Sequence, residues 1–118
     1  MSGPPKPGLS IRIDLPGGGR FGPGKAALLD AISESGSLNK AAVQLGMSYP
    51  RAKKLVEEMN RDFSSPLVSS SQGGIGGGGS QLTATGSEVL KLYRVLCARS
   101  LSQNSDILEQ IAQPRTRD

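Results

Sequence analysis

Apolar positions in the middle of the chain recur with the period of an α-helix. Residues 48–63 carry them at i, i+3, i+4, i+7 and i+11, as Ala52, Leu55, Val56, Met59 and Phe63. This spacing puts the five side chains on one stripe of a helix, which must be buried. Just before it, residues 38–45 form a short, alanine-rich segment with its own apolar positions. The pattern therefore predicts two successive helices within residues 37–63.

Small residues mark the ends of these two helices. Ser37 and Ser48 each offer a side-chain acceptor that caps the free amides of a first turn. Gly46 tolerates the left-handed backbone that ends a helix, and Pro50 falls in a first turn, where its missing donor costs little. Two helices joined by such a tight turn form the helix-turn-helix that reads the major groove of DNA.

The face opposite the apolar stripe is basic at its start. A recognition helix needs polar and cationic groups there, to reach base edges and phosphates. The residues of the two helices that we predict to contact DNA are Ser37, Lys40, Ser48, Tyr49, Pro50, Arg51, Lys53 and Lys54. The alternative is an ordinary helical hairpin with a solvated basic face.

Two elements are predicted before the helix-turn-helix. Residues 9–15 alternate apolar and polar side chains, which indicates a half-buried strand. A glycine-rich loop follows, and then a helix from about Pro23 to Ser35, ended by Gly36. Its inward residues are predicted to be Leu28, Leu29, Ala31 and Ile32. The positive start of this helix, with Lys25, is a further candidate contact to a DNA phosphate.

A glycine-rich hairpin is predicted after the helix-turn-helix. Residues 66–71 read as one strand and residues 81–83 as its return. Glycines between them would let main-chain amides approach the sugar-phosphate backbone closely, as in a wing. The wing residues predicted to contact DNA are Gln72, Gly73, Gly74, Gly76 and Gly77. The alternative is a flexible linker.

Residues 84–112 are predicted to form one long helix that begins at a Thr83 cap or at a capping box of Thr85 with Glu88. One apolar row contains Val89, Leu92 and Leu96. A second row contains Leu90, Tyr93, Cys97, Leu101, Leu108 and Ile111, interrupted by Asn104. A small domain cannot bury both rows, so the second row is predicted to contact a second subunit, with Asn104 fixing the register. The alternative is that the end of the helix frays.

Composition narrows the possible functions. The 118 residues allow one domain, predicted at residues 9–112, with disordered tails at 1–8 and 113–118. There is no histidine and only one cysteine, which excludes His/Cys zinc sites, histidine-dependent triads and an intramolecular disulfide. A net charge of +4 favours a polyanionic partner. The chain shows no signal peptide or membrane span, so a cytoplasmic location is expected.

Two glycine motifs raise the possibility of a nucleotide enzyme. Gly19, Gly24 and Lys25 fit most of a phosphate-binding loop, but Ala26 stands where the magnesium-binding hydroxyl is required. Residues 74–79 match a dinucleotide fingerprint, yet they lead into a predicted strand rather than a helix. No acid–base pair or nucleophile remains for catalysis. We therefore predict no enzyme activity, no cofactor and no metal.

In combination, several short motifs resemble the N-terminal DNA-binding domain of ModE-type molybdate-responsive regulators. They occur in order between about residues 9 and 108: Gly22-Pro23-Gly24-Lys25, Gly36-Ser37, Ala41-Ala42, Gly46-Met47-Ser48-Tyr49, Glu58-Met59-Asn60, Pro66-Leu67-Val68, the run from Gly73 to Gly79, Leu82-Thr83 with Gly86, and Leu92-Tyr93. The chain departs from the family pattern in its wing, at Ile75 and at Ser69-Ser70.

The resemblance implies a winged helix, related to the DNA-binding domain of LysR-type regulators, that dimerises through its terminal helix and binds a palindromic operator. It places Ser48, Tyr49, Arg51 and Lys53 at the major groove and residues 73–79 over the flanking backbone. Full-length relatives add C-terminal oxyanion-binding domains. We expect none within these 118 residues, so molybdate sensing is not implied by them.

The overall prediction is a mainly α fold with a small β-wing. Its predicted function is a homodimeric, sequence-specific regulator of transcription that binds double-stranded DNA. The alternative function is a winged-helix module that binds another protein, in which the basic charge is incidental.

Overall fold

The computed structural model describes residues 6–74 and 77–114, and within them the chain is mainly helical with two small antiparallel hairpins. This confirms the predicted fold class. In chain order the elements are β1 (Ile13–Asp14), β2 (Arg20–Phe21), α1 (Pro23–Ser35), α2 (Leu38–Leu45), α3 (Tyr49–Asp62), β3 (Val68–Gly74), β4 (Gly77–Leu82), α4 (Ala84–Gln103) and α5 (Ser105–Ile111).

The predicted caps form at both helices of the helix-turn-helix. The Ser37 hydroxyl accepts from the amide of Lys40 at 3.1 Å, and the Ser48 hydroxyl accepts from the amide of Arg51 at 3.2 Å. Gly36 and Gly46 end the preceding helices with a left-handed backbone, each at a φ of 69°. Because these signals are local, the bounds of α1 and α2 agree with the prediction.

The core lies between α1, α2, α3 and the start of α4. Leu28, Leu29, Ala31 and Ile32 of α1 are buried, as predicted. Phe21, which the prediction left in a loop, is also buried. Its ring makes T-shaped contacts with Phe63 and Tyr93, at centroid distances of 5.9 and 5.1 Å. Such pairs add to the free energy gained by burial, so the glycine-rich stretch contributes to the core.

The predicted strand over residues 9–15 is shorter in the structure. Only Ile13 and Asp14 pair with another strand, through the register Ile13 with Phe21 and Asp14 with Arg20. Residues before them have no strand partner, and they run beside α4 instead, where the Tyr93 hydroxyl donates to the carbonyl of Ile11 at 2.6 Å. Burial, with the nearby Cys97 thiol, raises the pKa of Tyr93 to about 12, so this donor stays protonated well into the alkaline range.

The hairpin of β3 and β4 extends further into the glycine run than the sequence indicated. Val68 pairs with Leu82 at its base, and Gly74 pairs with Gly77 beyond an irregularity after Ser71. Gly76 and Ile75 lie outside the described residues, as do the side chains of residues 72–78. The hairpin itself supports the wing interpretation over the flexible linker.

The long terminal helix is interrupted, which corrects the prediction of a continuous helix over residues 84–112. At Asn104 the backbone leaves the helical region, and its side-chain amide donates to the carbonyl of Ser100 at 2.8 Å. This local bond competes with the helix backbone, so α4 ends and α5 begins there. The Thr83 hydroxyl, rather than Thr85, caps α4 by accepting from the amide of Gly86 at 2.9 Å.

The first part of the second apolar row of α4 lies inward, which differs from its predicted place in a dimer interface. Leu90 and Tyr93 are buried in the chain's own core, and Cys97 packs partly against it, so these three predicted dimer residues face inward. The reason is that α1 packs along this side of α4, where Arg94 also pairs with Asp30. In the other row Leu92 and Leu96 are exposed, with 57% and 40% of their surfaces accessible, whereas Val89 packs partly against the core.

The ends of the chain were predicted to be disordered. Residues 1–5 and 115–118 lie outside the described residues. Lys6 and Pro7 are among the described residues. Together with Leu101 and Leu108 they line a cavity of about 180 Å³ beside the end of α4. Among the described residues, no helix is both long and apolar enough to cross a lipid bilayer.

Candidate nucleic-acid interface

The first two turns of α3 form the most cationic exposed surface of the helix-turn-helix. Ala52, Val56 and Met59 bury the opposite stripe, which fixes the rotation of the helix about its axis. The outward residues are therefore exposed together: Ser48, Tyr49, Pro50, Arg51, Lys53 and Lys54. The structure brings these six predicted contact residues onto one surface, which we call the recognition surface.

The charges of the recognition surface are available to a ligand. Within residues 6–74 and 77–114, no carboxylate oxygen lies within 4.0 Å of the cationic groups of Arg51, Lys53 or Lys54. Glu57 follows Lys53 by one turn and is also exposed, and the exposed Arg61 near the end of α3 lies 3.7 Å from a carboxylate oxygen of Asp62. The cations of α3 that have no carboxylate partner within the described residues are therefore those at its start. The positive potential of α3 is therefore strongest at its N-terminal end rather than along its whole length.

Lys25 does not belong to this surface, which corrects its predicted role as a phosphate contact. Its ammonium group lies 3.2 Å from a carboxylate oxygen of Glu58 and donates to the carbonyl of Arg20 at 2.7 Å. The side chain is only 12% exposed. This internal pairing ties the start of α1 to α3, and it leaves the lysine unable to serve a phosphate-binding loop.

The start of α2 contributes the other two predicted helix-turn-helix contacts. Lys40 is exposed, whereas Ser37 is half-buried and its hydroxyl is engaged as the N-cap of α2. Free amides at a helix N-terminus attract anions, and they stand here beside an exposed ammonium group. Ser37 therefore stabilises the first turn of α2, while the side chain of Lys40 is accessible to solvent.

Asn60 attaches the wing to α3, a role that the sequence prediction missed. Its side-chain oxygen accepts from the amides of Leu67 and Val68 at 2.9 and 3.0 Å, and its nitrogen donates to the carbonyl of Val68 at 3.1 Å. The available signal was a polar residue four positions after the buried Val56, on the inward side of α3, where it requires partners.

A family comparison agrees with this geometry. Residues 25–87, more than half of the chain, match the family described as bacterial regulatory helix-turn-helix protein, lysR family. The chain belongs to this family. The matched range of the LysR-type domain runs from α1 to the first turn of α4 and includes both helices of the helix-turn-helix and the wing.

Curated relatives of this LysR-type domain are ModE regulators and a related protein, which confirms the predicted resemblance. The chain is 43% identical over 75 residues to the molybdenum transport protein ModE of Herbaspirillum seropedicae. This stretch covers 64% of this chain and 28% of the relative. It is 40% identical over 76 residues to the molybdenum-pterin-binding protein MopB of Rhodobacter capsulatus, with the same coverages. The DNA-binding transcriptional dual regulator ModE of Escherichia coli K12 is 39% identical over 74 residues, which cover 63% of this chain and 28% of the relative.

The LysR-type domain thus spans less than a third of the length of these relatives. Among solved structures, the crystal structure of ArgP from Mycobacterium tuberculosis aligns with 74% of this chain and 29% of its own, at 21% identity and a TM-score of 0.47. The family is one of DNA-binding regulators rather than enzymes, in agreement with the sequence prediction.

Proposed function

We propose that this LysR-type domain is a homodimeric, sequence-specific regulator of transcription that binds an inverted-repeat operator. The observation that carries the proposal is the recognition surface, whose three cations are exposed and free of carboxylate partners within the described chain. In this proposal α3 enters the major groove. Arg51, Ser48 and Tyr49 contact base edges, and Lys53 and Lys54 contact phosphates.

The wing and the start of α2 complete the proposed contact. We propose that the wing approaches the sugar-phosphate backbone beside the major groove through Gln72, Gly73, Gly74, Gly76 and Gly77. Lys40 is proposed to contact a phosphate at the edge of the groove. Backbone contacts of this kind set position and affinity without reading sequence. The proposal includes no cofactor and no oxyanion effector.

A second copy of the chain is proposed to pack on the exposed row of α4. Two features support this location. Leu92, Val95 and Leu96 are exposed large apolar side chains on the helix. Leu92 and Leu96 also border an apolar groove of about 230 Å³ between α4, the β1–β2 hairpin and the end of α3, lined by Ile13, Leu15, Phe21, Phe63, Val89, Leu92, Tyr93 and Leu96. Exposed apolar surface of this kind marks protein interfaces.

The predicted dimer residues near the end of the terminal helix remain candidates for the same interface. Leu101 and Ile111 are exposed, and Leu108 is half-buried. Asn104 is engaged with its own helix, so it is proposed to shape the end of the interface rather than to pair with its counterpart. A paired α4, about 30 Å long, would hold two recognition helices near the 34 Å spacing of one DNA turn.

Single substitutions on the recognition surface test the proposal. Duplexes are first selected from a random pool and inspected for an inverted repeat, and binding is then titrated with salt. Arg51→Ala should cost about 1–3 kcal/mol on the selected duplex and relax preference at one base pair. Lys54→Ala should weaken binding to selected and random duplexes alike and reduce the salt slope by about 1, because one phosphate contact is lost.

Two outcomes would contradict this assignment. Equal losses on selected and random DNA for both variants would remove the distinction between base reading and phosphate contact. A flat salt response, or no duplex binding at low salt, would favour the alternative in which the winged helix binds another protein.

A further inference from the structure

The wing is attached at a second point that lies on the helix-turn-helix itself. On one edge β4 pairs with β3. On its other edge the amide of Ser80 donates to the carbonyl of Gly36 at 3.0 Å. Gly36 is the residue between α1 and α2, directly before the Ser37 cap. The hairpin is thus bonded to the start of α2 through β4 and to α3 through Asn60 and β3.

Gly79 allows this second attachment because it has no side chain. A Cβ at this position would lie 3.2 Å from the Gly36 oxygen and 3.7 Å from the Ser71 hydroxyl oxygen. The first distance is tighter than ordinary van der Waals contact. On the same residue, the Gly79 amide donates to the Ser71 hydroxyl oxygen at 3.1 Å. Gly79 is therefore enclosed between β3 and the α1–α2 turn.

The α1–α2 turn is held in place by its own hydrogen bonds. The Gly36 amide donates to the carbonyl of Ile32 at 2.8 Å. The Ser35 hydroxyl donates to the carbonyl of Ala31 at 2.8 Å, and its oxygen accepts from the amide of Ser37 at 3.3 Å. Because the turn is fixed, a side chain at position 79 would displace β4, which is the edge of a two-stranded hairpin, rather than the turn.

We propose that Gly79 is a positioning residue for DNA binding: its close contact with Gly36 sets how far the β3–β4 hairpin stands from the helix-turn-helix, and therefore where the hairpin meets the DNA backbone that flanks the half-site contacted by α2 and α3. This inference rests on the proposed function. Under this proposal, the wing adds to the binding affinity through DNA outside the major-groove site. Gly79 controls that added affinity through its contact with Gly36, without contacting DNA.

The test uses two duplexes that contain the same selected inverted repeat. One carries about ten additional base pairs on each side, and the other ends at the outer edge of the half-sites. Gly79→Val should weaken binding to the flanked duplex about tenfold and to the trimmed duplex less than about twofold. Hydroxyl-radical footprints should lose protection only in the flanks.

Gly17→Val is the matched control, because a Cβ at Gly17 meets no atom within 4 Å. It should bind both duplexes like the unsubstituted protein. Circular dichroism establishes that each variant is folded, and if Gly79→Val is not, Gly79→Ala replaces it with an expected loss of about threefold on the flanked duplex alone.

The outcomes separate this inference from the proposed function. Equal loss on both duplexes, no loss on either, or no advantage of flanks for the unsubstituted protein would overturn the role of Gly79 while DNA binding stands. Failure of the unsubstituted protein to bind any selected duplex would overturn the proposed function itself.

Discussion

Gly86→Ala should destabilise the domain by about 3 kcal/mol, the upper end of the usual range for overpacking. Gly86 is buried in the first turn of α4, and an added Cβ would overlap the carbonyl oxygen of Leu67 and lie 2.9 Å from its carbonyl carbon. That oxygen cannot retreat easily, because it accepts from the amide of Thr83 at 2.9 Å. Urea denaturation followed by circular dichroism measures the change.

Gly24→Ala is the matched control for this substitution. Gly24 also lies in the first turn of a helix, α1, but a Cβ there meets no atom within 4 Å. Alanine restricts the unfolded chain more than glycine does, so the control should stabilise the domain by about 0.4–1 kcal/mol. Similar effects for the two variants would show that helix propensity, and not the contact with Leu67, governs position 86.

Leu92→Glu should convert the proposed dimer into monomers without unfolding the chain. The side chain is 57% exposed in the single protomer, so a carboxylate there remains hydrated when the protein is alone. In a paired interface the same carboxylate would be buried without a partner, at a cost of about 3–5 kcal/mol. Sedimentation equilibrium at micromolar concentration should show the shift in mass.

The same variant should bind an inverted repeat at least about a hundredfold more weakly, because two linked recognition helices gain their affinity from simultaneous engagement. Val43→Glu is the control for the change in mass, since Val43 is 75% exposed and lies on α2, away from the apolar groove. It should leave the mass unchanged. A Leu92→Glu protein that remains dimeric would place the subunit contact elsewhere.

Helix ends were predictable because their signals are short and act within one turn. Ser37, Gly46 and Ser48 each form the cap or the left-handed turn expected from residue type alone. The recognition surface could be predicted from the periodicity of a single helix, since the apolar stripe of α3 determines which residues face the solvent. Both the helix ends and the exposed face of α3 could be predicted without knowing which elements α3 packs against.

Contacts between distant segments were the places where prediction was incomplete or wrong. The composition of the loop before α1 gave no sign that Phe21 would enter the core, and that of α1 gave no sign that Lys25 would pair with Glu58. The two rows of α4 look alike as sequence, and only the position of α1 decides that Leu90 and Tyr93 turn inward. One local contact was missed as well: the Asn104 side chain donates to the carbonyl of Ser100 where the helix was predicted to continue, and α4 ends there.

The sequence by itself determined the periodicity, the caps and the cationic start of α3, because each depends on neighbours within a few residues along one helix. Only the tertiary structure decided which face of α4 is exposed, how Asn60 and Gly36 hold the wing, and which lysines remain free. Those features depend on which groups from separate segments come into contact in the folded chain. The order of residues along the chain does not specify these contacts by any local pattern.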